Sequence, residues 1–168
     1  MTTGIKLVEP AENEFLANLE RRSNRPIHFF RLMAKRSEVL KNFVPLYGSI
    51  MGPGSVDQRT KELVYLTVSY ANKCAYCTAA HVASGSKAGV TQDEMHALQA
   101  RQDGGFSASE RAAVEYAREL TLTADGAQTR DALNQHYNDE QIVEITLIAA
   151  LANFTNRFNN GLDLLPEQ

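Results

Sequence analysis

A chain of 168 residues, 43% hydrophobic and 22% charged, carries enough apolar material for one packed core, which excludes a disordered chain. A net charge of −3 with a pI near 5.8 supplies no basic field, so no nucleic-acid partner is expected. The opening M-T-T-G-I-K-L-V-E-P lacks a secretory pattern and no apolar run approaches the ~18 residues of a membrane span; a soluble, cytoplasmic protein with no membrane partner is expected.

Apolar positions recur at helical spacing along almost the whole chain, and no segment sustains period-two alternation, which predicts an all-α fold. Phe15, Leu16 and Leu19 mark a first helix closed by Ser23-Asn24-Arg25-Pro26. Apolar residues from Phe29 to Val44 predict one helix or two shorter ones ending at Pro45, followed by a Gly/Pro-rich loop from Gly48 to Asp57. Asp57 is placed to cap a helix from Gln58 to about Ala71. Val64, Tyr65, Thr67 and Val68 would suit a strand there, but the length of the segment favours a helix. Asn72-Lys73 is a break before a helix from about Cys74 to Ala88, and Thr91-Gln92-Asp93-Glu94 is a capping box for the next. Ser107 to Glu110 opens a further helix, Thr123 to Gly126 is a turn, and Asp131 to Tyr137 is a short helix. Asn138 to Gln141 caps the last one, Ile142 to about Phe158. It is apolar on nearly every side, as a helix buried on several faces or lying in a subunit interface would be. A weak echo links Tyr70-Ala71-Asn72 with Leu151-Ala152-Asn153; a decayed repeat and chance likeness between two buried helices both explain it.

Both cysteines fall in Y-A-N-K-C-A-Y-C-T-A-A-H, residues 70–81, which is too few for a secreted disulfide scaffold and leaves metal binding, redox chemistry or inert burial. On a helix, Cys74, Cys77 and His81 share one face. A C-x-x-C pair can close a small disulfide reversibly, and an imidazole one turn on can take a proton from Cys77. The helix end favours Cys74 as the thiolate and the histidine favours Cys77; a base aimed at one sulfur is the more selective influence, so Cys77 is assigned as the attacking thiol. If the two helices form a hairpin about Asn72-Lys73, Glu62 can reach the same face and orient His81. Zinc would take Cys74, Cys77 and His81 and still need a fourth ligand, while His28, His96 and His136 form no second paired motif; no metal and no cofactor are expected. Thr78 follows Cys77, so the haem-attachment pattern C-x-x-C-H fails, and a thioredoxin-type pair would need a βαβ setting.

The stretch E-L-V-Y-L-T-V-S-Y-A-N-K-C-A-Y-C-T-A-A-H resembles the core motif of the AhpD-like alkylhydroperoxidases within the carboxymuconolactone decarboxylase superfamily, and Glu62, Cys74, Cys77 and His81 match it position by position. S-A-S-E-R-A-A-V-E-Y-A-R-E-L-T and Y-N-D-E-Q-I-V-E-I-T-L-I-A-A-L-A-N-F-T-N-R-F-N resemble later helices of the same family. The resemblance implies one AhpD-like helical domain over residues 1–168, with its core at about 30–160 and residues 1–29 as an N-terminal helical extension. It implies a homotrimer or homohexamer, a small hydroperoxide substrate, and a thiol reductant that is a lipoyl protein or thioredoxin-like. It also implies that Cys77 attacks the peroxide, Cys74 resolves the sulfenic acid, and His81 with Glu62 relays the proton. Tyr76 stands where founding members carry a second relay histidine, and a phenol can donate a hydrogen bond there. Two alternatives share the fold: a redox-sensing oligomer with a disulfide switch, and a decarboxylase-like enzyme that needs no thiol. Arg157 is read as one half of a salt bridge near the chain end, with a substrate or partner carboxylate as the other possibility.

Overall fold

A computed structural model describes residues 4–167; the outermost positions of the expected 1–168 domain, residues 1–3 and 168, lie outside the described residues. Among the described residues the fold is all helical, without a strand. Helix α1 (Glu14–Ser23) begins where Asn13 accepts the Leu16 N–H at 3.0 Å and ends where Asn24 turns left-handed at φ 51°. Helix α2 (His28–Met33) and a 3-10 turn at Ala34–Arg36 lead into α3 (Ser37–Met51).

Helix α3 does not stop at Pro45, and the loop does not begin at Gly48; the helix runs through both to Met51. Pro45 gives up one helical hydrogen bond, to the carbonyl of the exposed Lys41, at a cost of about 3 kcal/mol. Continuing the helix keeps Ile50 and Met51 buried, and at about 1.5–3 kcal/mol for each side chain removed from water the burial matches or exceeds the proline's cost.

Helix α4 (Gln58–Ala71) starts at its predicted cap, where Asp57 accepts the Thr60 N–H at 2.9 Å. It is the central element, packed against α5 (Ala75–Lys87), α6 (Gln92–Ala100), α7 (Ala108–Thr123) and α9 (Asp139–Gly161). Leu63 and Leu66 face a cluster with Met95, Leu98 and Val114, whereas Val64, Tyr65 and Val68 face a second with Ile145, Ile148 and Ala149. A helix buried all round has use for β-branched side chains as packing, which is why the strand-like composition does not make a strand. The hydroxyls of Thr67 and Ser69 donate to the carbonyls of Leu63 and Tyr65, satisfying their polarity inside the helix.

The capping box predicted at Thr91/Glu94 forms, and the caps expected at Ser107 and Asn138 prove to be capping boxes as well, with Glu110 and Gln141. Helix α8 (Arg130–Asn134) is shorter than the expected Asp131–Tyr137, and α9 is longer than Ile142–Phe158 at both ends. The outer face of α9 leaves Val143, Leu147 and Phe154 about half exposed. A polar clamp ties the loop after α3 to α4 and α9. The buried Lys61 ammonium donates to the carbonyls of Ile50 and Gly52 and pairs with Glu144, which also accepts the backbone N–H groups of Ser55 and Val56. Gly54 is required beside it, because a Cβ there would lie 2.0 Å from Glu144 Oε1.

Candidate active site

The turn between α4 and α5 places the chemistry. Lys73 adopts φ 54°, and Cys74 becomes the N-cap of α5 rather than its first helical residue. Its sulfur does the work usually left to a serine or aspartate oxygen, accepting the Cys77 N–H at 3.4 Å. Cys77 therefore sits in the first turn of α5, where the helix dipole favours negative charge. Both are free thiols, each almost fully buried.

His81 follows one turn after Cys77. Its Nδ1 lies 2.7 Å from Glu62 Oε2 on α4, so a carboxylate reached only through the hairpin fixes the ring. Glu62 is 3% exposed and His81 6%. Gln58 donates to the other Glu62 oxygen at 3.0 Å. With Nδ1–H given to the carboxylate, Nε2 is left as the acceptor, facing the Tyr47 hydroxyl at 3.4 Å. The Tyr65 ring stacks on the imidazole with centroids 3.5 Å apart, and its hydroxyl meets Thr155 Oγ1 at 2.5 Å. Burial pushes the Tyr47 and Tyr65 phenols well above the usual range, so both remain hydrogen-bond donors.

Cys77 is the acidic member of the pair, with its pKa lowered to about 6. A hydrogen bond from the Cys74 thiol is the main cause, and hydrogen bonds from Asn159, Thr155 and Asn156 on α9 add to it against the opposing effect of burial. The Asn159 amide donates to Cys77 Sγ at 3.2 Å, and Thr155 Oγ1 lies 3.9 Å from the same sulfur. The same thiol–thiol bond, joined by burial, pushes Cys74 far up. Because the thiolate is the nucleophile, iodoacetamide is expected to label Cys77 before Cys74, with a rate that rises with pH to a plateau and a midpoint near 6. Peptide mapping across pH checks this; first labelling at Cys74, or a midpoint near the ~8.5 of an ordinary thiol, would contradict it.

Cys77, His81, Tyr47, Tyr65 and Asn159 border one cavity of about 210 Å³, which Arg25, Ile27, Phe29, Phe30 and Tyr76 also line. Cys74 instead borders a groove against α6, with Met95 and His96. Glu62, Cys74, Cys77 and His81 are thus brought together. Tyr76 lines the cavity, but its hydroxyl donates to Glu167 at 2.7 Å and accepts the Phe29 N–H at 3.2 Å, tying the chain end to α2. Arg157 forms no salt bridge among the described residues; it donates to the carbonyl and side chain of Asn153 on its own helix. Tyr47, Tyr65, Thr155 and Asn159 went unrecognised in the sequence, having no spacing signal relative to the cysteines. Among the described residues no three His, Cys, Asp or Glu side chains are grouped to hold a metal ion, and no helix is long and apolar enough to cross a membrane.

A family model described as the carboxymuconolactone decarboxylase family matches residues 37–119. The Bacillus subtilis uncharacterized protein YdfG is 31% identical over 109 residues, a match covering 62% of this chain and 74% of YdfG. Among solved structures, an uncharacterized peroxidase-related protein from Ralstonia eutropha, described as an alkylhydroperoxidase AhpD core, superposes with a TM-score of 0.84 at 19% identity, covering 98% of this chain and 92% of that one. The debrominase Bmp8 superposes with a TM-score of 0.82 at 20% identity, covering 96% and 90%. Matched by the family model and by YdfG, the chain belongs to the carboxymuconolactone decarboxylase family, and its helices are arranged as in the AhpD-core structure.

Proposed function

We propose that the protein is a dithiol-dependent hydroperoxidase of the peroxidase-related kind found in its superfamily. The observation that carries the reading is the Cys77 sulfur, acidified by its neighbours and open to a cavity that it shares with the Glu62-oriented His81. The Cys77 thiolate attacks the terminal oxygen of a hydroperoxide; an S–O bond forms, the O–O bond breaks, and the alkoxide leaves. The proton given up by Cys77 and held at His81 Nε2 goes to that alkoxide, which departs as the alcohol. The Cys74 thiol then attacks the Cys77 sulfenic acid, and its proton leaves with the hydroxyl as water. Two thiols are oxidised to a disulfide and the peroxide is reduced by two electrons. A small dithiol such as a lipoyl group, or a thioredoxin-like protein, restores the pair by exchange. The half-exposed stripe Val143, Leu147 and Phe154 supports assembly into a homo-oligomer.

The test is consumption of cumene hydroperoxide with dihydrolipoamide as reductant. Turnover that requires protein and dithiol together is expected; a rate equal to the dithiol alone would refute the reading. A second reading is favoured by the aromatic cavity walls Phe29, Phe30 and Tyr76. A variant of Bmp8 was solved with 2,3,4-tribromopyrrole, and a flat ring of that kind suits such walls. In that reaction the Cys77 thiolate would take a bromine cation equivalent from the ring, the carbanion would take the His81 proton, and Cys74 would displace bromide to form the disulfide. Bromide release from the same pyrrole under the same assay decides between them.

A further inference from the structure

Most of the polar groups that line the cavity are already committed to partners. The Asn159 amide donates to the Cys77 sulfur at 3.2 Å. The Tyr65 hydroxyl meets Thr155 Oγ1 at 2.5 Å, and Thr155 is bonded in turn to the Ala152 carbonyl at 3.0 Å. The Tyr76 hydroxyl is taken by Glu167 and the Phe29 N–H, and His81 Nδ1 is held by Glu62. What remains is one loose pair, His81 Nε2 and the Tyr47 hydroxyl, 3.4 Å apart. Neither atom has another hydrogen-bond partner among the described residues. The pair stands where a proton has to travel. His81 makes no hydrogen bond to the Cys77 sulfur, whose partners are Asn159, Thr155 and the Cys74 thiol. A ring nitrogen has a single lone pair, so a proton leaving Nε2 goes to the group that faces it. That group is at the reacting end of the cavity, which Tyr47, His81 and Cys77 line together. Burial and the charges of Glu62 and Cys77 keep the phenol protonated, with a hydrogen to give.

We propose that Tyr47 is a further catalytic residue: its hydroxyl protonates the departing oxygen of the peroxide and is itself reprotonated by His81 Nε2. This rests on the reaction proposed at Cys77 and names the group through which the proton held at His81 reaches the alkoxide. As the S–O bond forms and the O–O bond breaks, the leaving oxygen takes the electron pair of the O–O bond and the Tyr47 proton, and departs as the alcohol. Tyr47 takes the proton held at Nε2, and His81 is left neutral with Nδ1–H on Glu62. The hydrogen on the attacked oxygen stays there and becomes that of the sulfenic acid. A phenol suits the position because one oxygen can accept from Nε2–H and donate to the alkoxide at once. An alkoxide is a strong base and a poor leaving group, so an acid placed beside it contributes about 10²–10⁴-fold in rate.

The test is the dependence of the rate on the leaving group. Reduced protein is oxidised once, without added reductant, by cumene hydroperoxide or by peracetic acid, and loss of the Cys77 thiol is timed. The first peroxide expels an alkoxide that needs a proton; the second expels acetate, a weak base that needs none. The thiolate of dithiothreitol, with no acid beside it, gives the unassisted ratio of peracid to hydroperoxide rates. The ratio for the parent protein is expected to lie about 100-fold below that value, and the ratio for Tyr47→Phe to return to it. Phenylalanine keeps the ring that packs at 5.9 Å from Phe43, and a side chain with a merely structural role would slow both peroxides together and leave the ratio unmoved. A parent ratio equal to that of dithiothreitol overturns the proposal whether or not the variant folds. So does a Tyr47→Phe protein that keeps the parent's ratio, which would leave His81 to protonate the alkoxide directly and the hydroperoxidase reading intact. A parent protein that reacts with neither peroxide would refute that reading itself, and the role of Tyr47 with it.

Discussion

Cys77→Ser is expected to lower hydroperoxide consumption by more than about 10³-fold, to the level of the dithiol reductant alone, with the helical content unchanged. A serine hydroxyl has almost no anion at neutral pH, so the attacking species is lost outright and not merely slowed. The side chains that tune Cys77 make the loss specific. Asn159, Thr155 and the Cys74 thiol all converge on that one sulfur, and no group in the site deprotonates a serine to the same extent. Cys74→Ser is the contrasting case. It leaves the nucleophile but removes the resolving thiol, so one equivalent of peroxide is still consumed while repeated turnover with dithiol fails. The same amount of protein assayed in single-turnover and steady-state modes separates the two. A Cys77→Ser protein that retains a substantial fraction of the parent rate would contradict the assignment of the nucleophile.

The largest stability effect is expected away from the site, at Glu144→Ala. The substitution strands the Lys61 ammonium, 1% exposed, with two backbone carbonyls and no counter-charge, and it leaves the Ser55 and Val56 N–H groups without their acceptor. Removing one partner of a buried pair costs about 3–5 kcal/mol, a large fraction of an ordinary domain's stability. Urea unfolding should show it as a lower midpoint at unchanged slope. The effect has a defined pH window. Burial raises the Glu144 pKa, but Lys61 and the hydrogen bonds from Ser55 and Val56 outweigh it and hold the carboxyl below its usual value. A depressed carboxyl contributes stability that is fully present above its unfolded value of about 4.3 and is lost as pH falls through the folded value. Parent and variant are therefore expected to differ most near neutrality and to converge in acid. A difference of under about 1 kcal/mol at neutral pH would mean that the clamp does not carry the load assigned to it.

What the sequence disclosed and what it withheld divide along a physical line. Caps are local chemistry, so Asp57, Thr91, Ser107 and Asn138 could each be read where they stand, and each starts a helix. The hairpin that brings Glu62 to His81 could be read as well, because a short turn between two helices leaves little freedom. The reach of α3 through Pro45 could not, since it depends on what Ile50 and Met51 touch. Nor could the α9 contribution. Thr155 and Asn159 come to Cys77 from far along the chain, and nothing in N-F-T-N-R-F-N distinguishes an asparagine that holds a sulfur from one that faces water. Tyr65 was hidden in a run that looked strand-like, and Tyr47 in a segment expected to end before it. Tyr76 occupies the place marked by its spacing, yet its hydroxyl is taken by Glu167 at the other end of the chain, which spacing cannot show. The weak echo between the two long helices has one structural counterpart: Asn72 donates to Asn153, its partner in that alignment, at 3.0 Å.

The most direct test of the assignment of Cys77 as nucleophile and Cys74 as resolver is the intact mass of Cys74→Ser after one equivalent of cumene hydroperoxide in the presence of dimedone. With no resolving thiol, the sulfenic acid at Cys77 persists and is trapped. The expected result is a single dimedone adduct, mapped to Cys77, and none in Cys77→Ser treated the same way. An adduct on Cys74 in the Cys77→Ser protein, or no adduct in Cys74→Ser while peroxide is consumed, would contradict the account.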